Sequence, residues 1–69
     1  MRLSARNVIR GRVTGVTIGA VNAEVTVEVA PGLELTSIIT RASCEKLGLE
    51  IGTDAWVVIK ASNVMIGVD

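Results

Sequence analysis

From Val21 to Val29 the chain reads VNAEVTVEV, an alternation of apolar and polar residues without a break. Val21, Ala23, Val25, Val27 and Val29 share one face, and Asn22, Glu24, Thr26 and Glu28 the other, the period of a strand with one side buried. A second stretch, NVIRGRVTGVTI at Asn7 to Ile18, alternates in the same way but changes phase. Ile9, Gly11 and Val13 carry its apolar face before Gly15, and Val16 and Ile18 carry it afterwards. A phase slip at a glycine predicts one long strand bent at a bulge, a common device for curling a sheet.

The rest of the chain supplies the partners. APGL at Ala30 to Leu33 holds the only proline and signals a turn, so the strand over LELTSIIT pairs with Val21–Val29 as a hairpin. Thr40 can cap a short helix over RASCEKL, Gly48 can end it, and Leu47 and Leu49 then fold back on the core. GTD at Gly52 to Asp54 turns the chain into AWVVIKA, a fourth strand, and NVMIGV at Asn63 to Val68 reads as a fifth. Five strands with a small helix between the third and fourth is the order of an all-β, OB-like Greek-key barrel. An open meander or a small SH3-like barrel would show the same order.

At 69 residues the chain is expected to form one domain over 1–69, in the size range where a single core is small. Yet 49% of its residues are hydrophobic, almost all aliphatic, with Trp56 the only aromatic. Part of that apolar surface is therefore expected at the interfaces of a symmetric homo-oligomer. Basic and acidic residues balance at seven each, so any anion site must be local rather than a product of overall charge. No apolar run of transmembrane length and no signal peptide is visible, and a cytoplasmic protein without a membrane partner is expected.

Catalysis has little to work with. There is no histidine, and the lone Cys44 sits among apolar neighbours on a short helix, where it reads as a buried small hydrophobe. No His/Cys spacing or acidic loop suggests a metal-cation site. The expectation is a binding protein, not an enzyme, with no cofactor. Nucleic acid is not expected as a partner either, because OB-type readers use several aromatics in a basic groove. The pair Arg10 and Arg12 is the best argument for it, and a solvated edge or an interface ion pair explains them as well. A module that docks a partner protein or nucleic acid is the alternative function.

Two short segments stand out instead. In IKAS, Lys60 and Ser62 would share a strand face with Ala61 between them; in SAR, Ser4 and Arg6 repeat the arrangement around Ala5. Brought together, they offer two cations, two hydroxyls and close backbone approach past the alanines. That set suits a tetrahedral dianion. Ordinary surface polars at strand ends would look the same. A second stretch, GAVN at Gly19 to Asn22, either makes a concave set of amide donors for another anion or is a simple turn.

In order and with matching gaps, SARNVIRGRV, IGAVNAEV, SIITRASCEKLGL and VVIKASNVMI resemble the Mop family of molybdate-binding domains, the molbindins. The resemblance covers nearly the whole chain. It implies an OB-like five-stranded barrel that binds molybdate or tungstate and assembles as a homohexamer, a trimer of dimers. Storage of the oxyanion in the cytoplasm, with sites between subunits, is implied too. Carried over by motif, Ser4, Ala5, Arg6, Lys60, Ala61 and Ser62 would form one class of site at a dimer interface. Gly19, Ala20, Val21 and Asn22 would line a second near trimer contacts. No family motif gives Arg41 a role, and solvation at the surface is its expected state. The module also occurs in transporter ATPases and in a transcription regulator, but the chain has neither a phosphate-cradling loop nor a helix-turn-helix.

Overall fold

A computed structural model describes residues 1–69. The long bent strand forms as β1, Asn7–Ile18, followed by β2, Asn22–Ala30, and β3, Leu33–Thr40. A seven-residue helix α1, Arg41–Leu47, leads to β4, Asp54–Ile59, and a single 3₁₀ turn spans Ala61–Asn63. All strand pairs are antiparallel, in the order β3-β2-β1-β4.

The bulge lies where the phase slips. Val13 faces Val27 and Gly15 faces Thr26, which leaves Thr14 as the extra residue. Val13 before it and Val16 after it therefore both reach the core side, where Val13, Ala23, Val25, Val27 and Cys44 are buried. Val16, Val29, Ile39, Leu49, Ala55 and Val57 pack around them. Gly11 is required by proximity: a Cβ there would stand 2.6 Å from the Glu28 carbonyl oxygen and 2.7 Å from Val27 Cγ1. At the hairpin, Gly32 takes φ 75° directly after Pro31, the pairing a tight turn of this kind calls for.

Local signals also set the limits of α1. The Thr40 hydroxyl accepts from the Ser43 backbone N–H at 3.0 Å, and Gly48 ends the helix with φ 64°. Cys44 is its one buried residue and packs on the sheet. Leu49 folds back as expected, but Leu47 does not: it stays 66% exposed, at the rim of an apolar groove. A helix of two turns buries one side chain here, and the chain reverses before a second can reach the core.

The expected fifth strand is absent from the sheet. β4 stops at Ile59, the 3₁₀ turn follows, and Val64–Asp69 pairs with no strand. Met65, Ile66 and Val68 are 92, 87 and 94% exposed. The sheet is accordingly open, with β3 and β4 as its edges, rather than closed by five strands. Only five side chains are buried, so most of the aliphatic residues remain on the surface.

Candidate functional site

The last rung between β1 and β4 pairs Asn7 with Ile59. Arg6 precedes one partner and Lys60 follows the other, so the two segments singled out by their spacing leave the same end of the sheet side by side. Ser4, Ala5, Arg6, Lys60, Ala61 and Ser62 all line one open cavity of about 770 Å³, together with Leu3, Val58 and Asn63. The reason for the juxtaposition differs from the expected one. Neither segment is strand: Ser4 and Arg6 lie in bends before β1, and Lys60 caps the 3₁₀ turn that contains Ser62. Strand ends, not shared strand faces, bring them together.

No carboxylate lines the cavity, and neither Arg6 nor Lys60 takes part in an ion pair. Of the other five basic residues, Arg10, Arg12 and Arg41 are engaged elsewhere, while Arg2 and Lys46 form no ion pair and do not line the cavity. Arg10 and Arg12 reach Asp54 at 3.5 and 3.9 Å, and Arg10 also lies over the Trp56 ring, 5.8 Å from its centroid. Arg41 pairs along its own helix with Glu45 at 2.9 Å and remains at the surface. The cavity thus combines two uncommitted cations, two hydroxyls and the amide of Asn63, a donor-rich set for an anion. Sequence spacing missed Asn63, which follows KAS directly; only the turn at Ala61–Asn63, which a strand reading hides, carries it to the cavity.

The GAVN residues sit at the other end of β1, roughly 35 Å of strand away at about 3.3 Å per residue, and join neither large cavity. Gly19 donates its N–H to the Asn22 carbonyl at 2.8 Å, so that amide is already engaged, whereas Ala20 and Val21 donate to no backbone group. Gly19 is needed for close approach rather than for a positive φ, since a Cβ would stand 2.9 Å from Asn22 O. The Val21 carbonyl accepts from Arg41 N–H at 2.8 Å, which anchors the turn to the start of α1.

A second cavity, about 500 Å³, is an apolar groove; Val25, Val27, Ile39, Leu47, Leu49 and Trp56 line much of it. Cys44 is buried and reduced, as a small core residue. No group of His, Cys, Asp and Glu has the geometry to hold a metal cation, and no helix is long and apolar enough to cross a membrane.

The family model for the TOBE domain matches residues 3–66. Molybdenum-pterin-binding protein 1 of Clostridium pasteurianum is 46% identical over 66 residues, 96% of this chain and 97% of its own. The chain is a TOBE domain of the molbindin, or Mop, family. Among solved structures, this molbindin matches MopII from Clostridium pasteurianum with TM-score 0.91 and 43% identity over 97% of its length and all of MopII. It also matches the cytoplasmic molybdate-binding protein ModG, in a form with molybdate bound. There the TM-score is 0.94 and the identity 51%, over all of this chain and 49% of ModG. These relatives carry the names of binding proteins, not of enzymes.

Proposed function

We propose that this molbindin binds molybdate or tungstate as the intact oxyanion and stores it in the cytoplasm, with no cofactor and no covalent change to the ion. The observation that carries the reading is the cavity beyond the Asn7–Ile59 rung, where Arg6 and Lys60 stand without carboxylate partners beside Ser4 and Ser62. Two cations balance a dianion, and charge-assisted hydrogen bonds of about 2.7–2.9 Å suit its oxygens. Ala5 and Ala61 leave room for the ion to approach the backbone. The relatives' names, and the molybdate in ModG, support this choice of ligand.

The cavity is open and larger than one tetrahedral ion fills. Holding a dianion away from water costs several kcal/mol unless every charge and oxygen is met, so the sites are completed by neighbouring subunits. The assembly proposed is a homohexamer, a trimer of dimers, built from copies of this domain. Val64–Val68 would supply the fifth strand of an OB-like barrel by pairing with an open sheet edge of another copy. Its exposed Met65, Ile66 and Val68 and the free edges of β3 and β4 support that exchange. The amides of Ala20 and Val21, with Gly19 and Asn22 shaping the turn, would line the second class of site.

Native mass spectrometry after incubation with molybdate, in parallel with excess sulfate, tests the whole reading. A hexamer carrying several molybdates and no sulfate is expected. A monomer or dimer that retains neither ion would overturn it.

A further inference from the structure

Beyond Asn7 and Ile59 the two chains part, one into the bends at Ser4 and Arg6, the other into the 3₁₀ turn. At that fork the side chain of Asn7 reaches across: its Nδ2 donates to the Ile59 carbonyl at 3.3 Å, a part-buried bond where the molecule's other side-chain hydrogen bonds are exposed. We propose that Asn7 is a positioning residue, a clasp that holds the Arg6 and Lys60 segments together while the anion site is empty.

The need for a clasp follows from charge. Arg6 and Lys60 flank the same rung, neither has a carboxylate partner, and no acidic residue lines the cavity between their segments. Like charges at the end of a two-stranded ladder repel and favour fraying, and only a bound anion would neutralise them. A hydrogen bond made across the last rung opposes that splaying in the empty state. The ion then meets donors already in place, and less of its binding free energy is lost to ordering them. Asn7 itself does not line the cavity, so it acts through the backbone that carries Arg6 and Lys60. The ligand in this inference rests on the oxyanion reading, but the clasp can be tested without it.

The test compares the wild type with Asn7→Ala by amide hydrogen exchange and by calorimetric titration with molybdate. In the ion-free protein, the variant should exchange faster at Ile59, with little change in the middle of β1. Molybdate affinity should fall about five- to tenfold at low salt, the range one net hydrogen bond supports. At roughly 1 M KCl, where the screening length is about 3 Å, the repulsion is weak and the wild-type-to-variant ratio should shrink to about twofold or less. A merely structural role would give a ratio that salt does not change, and that result, or unchanged exchange at Ile59, overturns the clasp. Should Asn7→Ala not fold, Asn7→Ser, whose shorter side chain has no donor at the same reach, carries the same comparison. Failure of the wild type to bind molybdate would count against the oxyanion reading alone, because the exchange arm needs no ion.

Discussion

Gly11 lies so close to Glu28 that a methyl group on its Cα would stand 2.6 Å from the Glu28 carbonyl oxygen. The contact crosses the centre of the sheet, where β1 meets both β2 and β4, and it leaves no flexible group to yield. Gly11→Ala should therefore destabilise the protein by about 1–3 kcal/mol, the usual cost of forcing extra volume into a packed site. Urea unfolding at fixed protein concentration checks it, since any oligomer makes apparent stability depend on concentration.

Lys60→Ala or Arg6→Ala should weaken molybdate binding by about 2–5 kcal/mol, roughly thirtyfold to several thousandfold. Each substitution leaves a dianion facing too little positive charge. Arg41→Ala is the contrasting case: its exposed pair with Glu45 contributes only about 0.3–0.5 kcal/mol to α1. Titration calorimetry of the three variants should separate the first two from the third, and equal losses in all three would refute the site assignment.

The tail should govern assembly. Placing aspartate at Met65 and Ile66 together puts two charges into a segment now 92 and 87% exposed and apolar. Sedimentation should then show a smaller species than the wild type while circular dichroism retains the β signal of β1 to β4. An unchanged sedimentation coefficient would mean that the tail is not an interface.

Thr40→Ala removes the acceptor that meets the Ser43 N–H at 3.0 Å and should cost about 1 kcal/mol. The loss should appear in thermal unfolding and be largely recovered by Thr40→Ser, which keeps the hydroxyl.

The legible parts of the sequence were those whose cause is local. The bulge at Thr14 follows from the apolar phase changing between Val13 and Val16, and the limits of α1 follow from Thr40 and Gly48. The buried face of β2, with Ala23, Val25 and Val27, follows from simple alternation. NVMIGV has the composition of a strand yet pairs with no strand of its own chain, because a strand also needs a free edge to pair with, and composition does not say where that edge is. The same strand reading carried too far past Ile59 put Lys60 and Ser62 on a common face. They do come to one cavity with Ser4 and Arg6, but through the pairing of Asn7 with Ile59, residues 52 positions apart. That is a long-range fact, and it also explains why Asn63 was overlooked.

Val58 belongs to both cavities, forming part of the wall of the donor-rich one and part of the apolar groove. A neighbouring subunit seated in the groove would press on the same side chain that a bound ion has at its back. Association and loading coupled through Val58 would be thermodynamically linked, each changing the affinity of the other by an equal factor. The hold on the ion would then vary with how much of the protein is present.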